Sequence, residues 1–162
     1  MTESLKKNRI LDESSPVDRP SWDRHWMDAA GLAAQMSTCA SGRKVGAVFV
    51  RDKRLLATGF NGVPSGYPHP PICPRRAAGL PSGQGLELCV CAHAEANGVA
   101  NAARHGVSLQ SATVYVTCQP CSSCMGALAN VGVKQVVFGG PYPDDRSQSI
   151  ADYAGIELVC LP

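Results

Sequence analysis

Two short segments, AHAEAN at 92–97 and QPCSSC at 119–124, constrain the fold of this 162-residue chain more than any other feature. Cys121 and Cys124 stand at i and i+3 at the start of a predicted helix, so both sulfurs lie on one face. The N-terminus of a helix stabilises thiolate, the form of cysteine that binds metal. The fold therefore has to bring this helix start next to His93, whose imidazole completes a set of three ligands.

Two thiolates and one imidazole make a zinc site with an open fourth position, which is the arrangement of catalytic rather than structural zinc. A redox-active cysteine pair is the main rival interpretation, but such a pair usually follows a first strand directly and lacks a preceding H-x-E. Clustered cysteines in a reducing compartment bind metal more often than they form disulfides. A third interpretation, in which His93 and Glu95 are ordinary helix residues and the cysteines belong to the core, stays open.

Hydrophobic periodicity predicts an α/β fold. Ser21 is expected to cap a helix that runs to about residue 38, and short β-rich runs at 44–50 and 54–60 predict a hairpin. Further helices are expected at 92–106, 121–132 and 147–154, and further strands at 112–117, 135–140 and 156–161. Residues 64–88 contain six prolines and four glycines and show neither period. The alternation predicts a three-layer αβα sandwich around a five-stranded mixed sheet.

Composition and charge narrow the functions that the chain can have. A net charge of +2 is too small to indicate a nucleic-acid surface, and no apolar run approaches the ~18–20 residues of a membrane span. Residues 1–20 are polar and lack the apolar region of a secretory signal, so we expect a solvated arm in front of a single domain at 21–162. These features predict a cytoplasmic protein with no membrane partner.

The pattern H-x-E…P-C-x-x-C is typical of zinc-dependent nucleobase deaminases, and their chemistry explains the residue types. Replacing an exocyclic amine by oxygen needs hydroxide at neutral pH, which zinc supplies by lowering the pKa of bound water. A proton must also move from that water to the ring nitrogen and then to the departing ammonia. Glu95, beside the metal but not bound to it, is predicted to carry this proton.

With these residues in place, the chain resembles the deoxycytidylate (dCMP) deaminase family from about Ser21 to about Leu161. The segments that carry the resemblance are STCASGRKVGAVFV, GFNGVPSG, LPSGQGLELC, HAEAN, GVSLQSATVYVTCQPCSSC and GVKQVVFGGPYPDD. The resemblance implies a cytidine deaminase-like fold and the hydrolysis of dCMP to dUMP and ammonia, which feeds thymidylate synthesis. It also implies a homohexamer that dCTP activates and dTTP inhibits, with Mg²⁺ on the triphosphate.

The resemblance further suggests which residues contact nucleotides. Those suggested for the substrate are Arg43, Asn61, Ala94, Arg104 and Tyr142. Those suggested for the effector are Gly59, Asn61 and Gly62. Arginine suits a 5′-phosphate because its guanidinium donates bidentate hydrogen bonds, although a solvated surface charge is an equal alternative for each arginine. A plain strand-end turn is the competing interpretation of GFNGVPSG, since Asn-Gly is a common turn dipeptide.

A second metal is expected from the long segment at 64–88. A loop of some 25 residues without structure is unusual in a compact domain, and metal ligands within it would order it. The resemblance implies a structural zinc there, and its expected ligands are Cys39, Cys73, Cys89 and His69, with Cys91 as the alternative to His69. Buried thiols without metal are the competing interpretation.

The remaining cysteines and histidines are expected to carry no chemistry. Cys118 and Cys160 lie on predicted strands and are assigned to the core, and His25 and His105 are taken as ordinary helix residues. Three other functions stay open beside dCMP deamination. They are the deamination of dCTP or of a modified dCMP, the deamination of tRNA or another nucleic acid, and an inactive zinc-stabilised subunit.

Overall fold

The computed structural model describes residues 19–40, 42–81 and 84–161. Its elements, in chain order, are α1 (Trp22–Gln35), β1 (Gly46–Arg51), β2 (Arg54–Phe60), α2 (Pro74–Ala77), α3 (Ala94–Arg104), β3 (Thr113–Val116), α4 (Ser122–Asn130), β4 (Gln135–Phe138), α5 (Asp145–Ala154) and β5 (Glu157–Cys160). The arm expected at 1–20 lies outside the described residues except for its last two positions. Within the described ranges, no helix is long and apolar enough to cross a bilayer.

The five strands form one mixed sheet in the order β2-β1-β3-β4-β5. β1 pairs antiparallel with both β2 and β3, whereas β3, β4 and β5 run parallel to one another. Ala47 stands opposite Val116 in the β1–β3 pair, and Val116 stands opposite Phe138 in the β3–β4 pair. The predicted five-stranded mixed sheet with parallel later strands is therefore confirmed.

Alternation along the strands gives the sheet two apolar faces. Val48 and Tyr115 pack on one face against Trp26 and Ala30 of α1. The opposite face, which includes Phe49, packs in a second cluster with residues of α3, α4 and α5. The arrangement is the expected three-layer sandwich, in which α1 is the one described helix on its side of the sheet.

Two strand glycines let helices approach the hairpin closely. A Cβ atom at Gly46 would lie 2.1 Å from the carbonyl oxygen of Ala30 in α1. A Cβ atom at Gly59 would lie 2.1 Å from the carbonyl oxygen of Ala94 in α3. Real side chains cannot be accommodated at such distances, so glycine is needed at both positions. The start of α3 is consequently held tightly against β2.

The structure differs from the sequence-based expectations in three local features. Ser21 caps α1 as predicted, accepting a hydrogen bond from the Arg24 backbone N–H at 3.2 Å, but α1 ends at Gln35 rather than near 38. Residues 64–88 are not wholly irregular, since they contain α2 and a 3₁₀ turn at Leu86–Leu88, each too short to show periodicity. Cys160 was wrongly assigned to the core, because it is exposed on the edge strand β5.

The other residues that were expected to carry no chemistry lie close to where they were predicted. Cys118 is buried, just beyond the end of β3. His25 lies on α1, with its ring against Trp26, and His105 caps the C-terminus of α3.

Candidate active site and metal centre

The three predicted metal ligands meet where two helices begin. His93 is the residue before α3, Cys121 is the residue before α4, and Cys124 lies in the first turn of α4. The His93 Nδ1 atom is 3.5 Å from the Cys121 sulfur and 3.4 Å from the Cys124 sulfur. Tetrahedral zinc, with bonds of about 2.3 Å to sulfur and 2.0 Å to nitrogen, would set this separation at about 3.5 Å. The donor atoms and their spacing therefore fit zinc.

The topology explains why these ligands converge. Cys121 and Cys124 follow β3, whose parallel neighbour β4 ends at the same edge of the sheet. The loops after the two strands are joined by a 2.8 Å hydrogen bond from the Gln119 N–H to the Gly140 carbonyl. The N-termini of α3 and α4 both carry positive partial charge, which favours thiolate at the point where they meet.

The electrostatics of the two thiols agree with this placement. Hydrogen bonds from the Cys124 thiol and from His93 lower the pKa of Cys121 to about 4. The hydrogen bond to Cys121 raises the pKa of Cys124, and burial raises it further. The hydrogen bond to Cys121 also raises the pKa of His93. One thiolate is thus already favoured in the protein, and a bound divalent cation would stabilise the second.

Glu95 lies in the first turn of α3, two residues after the histidine ligand, and is only 4% exposed. Burial raises the pKa of its carboxyl group, while the positive charge of His93 and a hydrogen bond with Cys124 act in the opposite direction. A raised pKa brings proton exchange closer to neutral pH, where a general acid and base works best. The side chain thus lies beside the ligands in a setting that suits a proton-transfer group.

Two residues that sequence reasoning missed support the metal-binding turn. The Ser147 hydroxyl, which is fully buried, donates to the Pro120 carbonyl at 2.7 Å. The Asp144 carboxylate accepts from the Ser122 N–H at 2.7 Å and also caps α5 through the Ser147 N–H. These bonds hold the pKa of Asp144 below its usual value. The local sequence signal was that Asp144 is an N-cap residue before a helix. Such a signal does not identify a hydrogen-bond partner more than twenty residues away.

A cavity of about 410 Å³ opens onto the metal ligands. Four of the residues suggested for the substrate line it, namely Arg43, Asn61, Ala94 and Tyr142. Arg104 is not among the residues that line it, because it lies exposed in the last turn of α3, about 15 Å along the helix from its start. Arg75 and Arg76 of α2 line the cavity but were not predicted. Nothing in the sequence of residues 64–88 predicts that this segment contributes to the cavity.

Asn61 and Arg43 are tied together at the cavity wall. The Asn61 side chain donates to the Arg43 carbonyl at 2.8 Å and accepts from the Val45 N–H at 2.8 Å. The Arg43 guanidinium donates to the Cys118 sulfur at 3.0 Å. Asn61 therefore has a structural role, because its hydrogen bonds hold the backbone around Arg43 in place. This role does not depend on whether Asn61 also contacts a ligand.

The two glycines suggested for effector binding each have a packing role. Gly59 faces α3 at the close approach described above. Gly62 exchanges two backbone hydrogen bonds with Ala92, at 3.1 and 2.9 Å, which fixes the residue before His93. A Cβ atom at Gly62 would lie 2.3 Å from the Thr38 hydroxyl oxygen. This stretch thus serves the geometry of the metal site directly.

Four further cysteines lie at or near the cavity. Cys39, Cys89 and Cys91 line it, and Cys73, the residue before α2, is 3% exposed. Burial, followed by a hydrogen bond with Cys39 and the nearby Cys89 and Cys73, raises the pKa of Cys91 to about 12. None of the eight cysteines, all of which are described, is in a disulfide.

The structure separates the first and second choices for a fourth ligand of this group. His69, the first choice, is exposed and has no recorded hydrogen bond or ion pair within the described ranges. Cys91, the second choice, lies among the other three thiols. In the described part of the chain, only the set of His93, Cys121 and Cys124 brings three ligand atoms within 4.8 Å of one another.

Comparison with known proteins gives the same picture of this site. The zinc-binding region shared by cytidine and deoxycytidylate deaminases matches residues 20–140. Deoxycytidylate deaminase of Schizosaccharomyces pombe is 37% identical over 159 residues, which cover 96% of this chain and 48% of that protein. The chain thus spans about half the length of that relative.

A shorter relative and a solved structure match over nearly their whole lengths. Deoxycytidylate deaminase of Mycobacterium phage D29 is 41% identical over 127 residues, 75% of this chain and 97% of that protein. The crystal structure of dCMP deaminase from the cyanophage S-TIM5 in complex with dCMP and dUMP superposes with a TM-score of 0.74 at 28% identity, covering 89% of this chain and 99% of that one. The match confirms the expected cytidine deaminase-like fold. The chain therefore belongs to the cytidine and deoxycytidylate deaminase family.

Proposed function

We propose that this chain deaminates dCMP hydrolytically to dUMP, which supplies dUMP for thymidylate synthesis. The observation that carries the proposal is the nearly inaccessible Glu95 carboxyl group beside three converging metal ligands in one cavity. The names of the S. pombe and phage D29 relatives, and the dCMP and dUMP bound to the cyanophage enzyme, support this choice of substrate.

In the proposed reaction, dCMP and water give dUMP and ammonia: the bond from C4 to the amino group breaks and a C4 carbonyl forms. His93, Cys121 and Cys124 would hold zinc, which would lower the pKa of a water molecule enough to activate it at neutral pH. Glu95 accepts the first proton of the attacking water and delivers it to ring nitrogen N3. It then accepts the remaining hydroxyl proton at C4, as the carbonyl forms, and delivers that proton to the leaving amine. Its burial keeps these transfers away from bulk solvent.

Glu95→Gln tests this assignment, because the amide keeps the size of the side chain but cannot carry the proton. We expect ammonia release from dCMP to fall about 10²- to 10⁴-fold, while elemental analysis shows the same zinc content. Glu87→Gln is the matched control, since Glu87 is exposed and is not among the residues that line the cavity. Wild-type turnover by the Glu95→Gln protein would refute the proposed role.

A substrate panel separates the alternatives. Ammonia release should be measured from dCMP, dCTP, CMP, deoxycytidine and an adenosine-containing tRNA anticodon stem-loop. A preference for dCMP supports the proposal, and a preference for dCTP or for the RNA replaces it with the corresponding deaminase. A zinc-loaded protein that is inert on the whole panel would instead be the zinc-stabilised subunit.

We also propose a second, structural zinc bound by Cys39, Cys73, Cys89 and Cys91, with Cys91 in place of His69. The hydrogen bond of Cys91 with Cys39 and its electrostatic interaction with Cys89 and Cys73 support it, as does the burial of Cys73, although no three of the four sulfur atoms lie within 4.8 Å of one another in the described chain. Elemental analysis should give about two zincs per chain. Cys91→Ser should lose one of them and His69→Ala should lose none. A wild-type value of one zinc, in protein never exposed to chelator, would refute the second site.

Regulation by dCTP as activator and dTTP as inhibitor, with Mg²⁺ on the triphosphate, is part of the proposal. The segment from Gly59 to Gly62 adjoins the cavity through Asn61 and holds the residue before His93, so an effector there would act on the metal site. We expect sigmoidal dependence of rate on dCMP concentration that dCTP makes hyperbolic. Identical hyperbolic curves with and without either triphosphate would exclude such regulation.

We propose a homohexamer located in the cytoplasm. Leu32 and Met36, on and just beyond the outer face of α1, are 64% and 65% exposed, and a neighbouring subunit would cover them. Eight cysteines without a disulfide suit a reducing compartment. Light scattering should give six times the 17.0 kDa mass of the chain, and cell fractionation tests the location.

A further inference from the structure

We infer that Arg76 on α2 recognises the 5′-phosphate of the substrate, an inference that rests on the proposed function and specifies its ligand. Among the described residues, the cavity is lined by three arginines, Arg43, Arg75 and Arg76, and by one carboxylate, Glu95. Two thiolates would balance the charge of the catalytic zinc, whereas the four thiolates of the proposed second zinc would add two negative charges. Preference for a nucleotide over an uncharged nucleoside therefore rests on the contact of an individual arginine with the phosphate and not on a net positive charge of the cavity.

The three arginines are not equally available to a ligand. Arg43 donates to the Cys118 sulfur, and Arg75 donates to the carbonyls of Pro81 and Gln84. The Arg76 side chain is exposed and makes no hydrogen bond or ion pair within the described ranges. Its guanidinium group can thus turn a pair of N–H donors toward a ligand without breaking a bond within the described part of the protein.

The backbone around Arg76 is held in position before any ligand binds. Cys73, directly before α2, is buried. Arg75 ties α2 to the returning chain, with its Nε atom 2.6 Å from the Gln84 carbonyl and its Nη2 atom 2.5 Å from the Pro81 carbonyl. A residue presented on such a fixed turn loses little further freedom when it binds.

The chemistry of the reaction sets the orientation of the nucleotide. C4 of the base has to lie next to the metal ligands and Glu95, so the 5′-phosphate, at the opposite end of the nucleotide, extends toward the opening of the cavity. Arg76, being exposed, stands at that opening. A guanidinium group there can form charge-assisted hydrogen bonds with the phosphate oxygens.

Equilibrium binding tests the inference independently of turnover. Dissociation constants for dCMP and deoxycytidine should be measured by calorimetry on the zinc-loaded Glu95→Gln protein, with and without Arg76→Ala. We expect Arg76→Ala to weaken dCMP binding about ten- to hundredfold and to leave deoxycytidine binding unchanged. Arg76→Lys should restore part of the loss, since it keeps the charge but not the forked geometry.

Arg104→Ala is the matched control, because Arg104 is an exposed arginine that does not line the cavity. Unchanged dCMP binding in Arg76→Ala, or an equal loss for dCMP and deoxycytidine, would overturn the inference. If the wild type turns over dCMP but Arg76→Ala binds dCMP as tightly as before, only the phosphate site is refuted. Arg76-dependent binding of dCMP without any turnover would support the phosphate site and refute the deaminase.

Discussion

Ser147→Ala should weaken zinc binding although the residue never touches the metal. Its hydroxyl is fully buried and donates to the Pro120 carbonyl at 2.7 Å, immediately before the Cys121 ligand. Removing the donor leaves a buried carbonyl without this partner, which costs about 1–3 kcal/mol. Because the carbonyl belongs to the metal-binding turn, we expect much of this cost to appear as a ten- to hundredfold loss of zinc affinity, the usual range for residues that orient ligands.

The assay is a competition for zinc between the protein and a chromophoric chelator, with denaturant unfolding measured in the apo and zinc-loaded forms. Ser149→Ala is the matched control on the same helix, because its hydroxyl is exposed and its hydrogen bond to Asp145 is 3.5 Å long. The control should change stability by less than about 0.5 kcal/mol. If Ser147→Ala binds zinc as tightly as the control does, the turn is rigid without α5 and the reasoning fails.

Three further results are expected from other parts of the structure. Gly59→Ala should lower the free energy of unfolding by about 1–3 kcal/mol, because its Cβ atom would overlap the Ala94 carbonyl. Gly31→Ala, on α1 with nothing within 4 Å of the new atom, should raise it by up to about 1 kcal/mol; equal effects in denaturant titrations would contradict the packing argument. The pKa of Asp144 is lowered by its hydrogen bond from Ser122, so Asp144→Asn should be less stable than wild type above the ordinary carboxyl pKa of about 4. The difference in stability between the two proteins should vanish as the pH falls through the lowered pKa of Asp144. A difference that persisted at the lowest pH would show that the charge of Asp144 is not its cause.

The three metal ligands could be predicted from sequence because these residue types at these short spacings indicate metal binding. A helix start with Cys121 and Cys124 at i and i+3 predisposes both sulfurs to one ion. The spacing left open whether the fold brings His93 there and whether the cysteines are instead a redox pair or core residues. The order of the layers followed from strand and helix periods in the same way. The ligand spacing and the strand and helix periods both involve residues that are close together in the chain, so both can be recognised in the sequence.

Contacts between distant segments were not predictable by these means. Arg76 reaches the cavity because a four-residue helix in a proline-rich segment folds back over it, and four residues give no period to detect. Arg104 was suggested by the family resemblance, but the rise of the helix carries it away from the cavity. His69 was preferred to Cys91 within the same resemblance, whereas three-dimensional proximity favours the thiol.

Neither apolar cluster of the sandwich takes a described residue from between Gly62 and His93. The stretch that carries α2 and its arginines is therefore an accessory to the two apolar clusters, and mutations within it, other than at the cysteines of the proposed structural zinc, should change the free energy of unfolding little. Substitutions in this stretch can therefore change the preference for sugar, number of phosphates or base substituent without altering the metal ligands and Glu95. Exchanging this stretch between related proteins is accordingly a direct route to deaminases with new preferences.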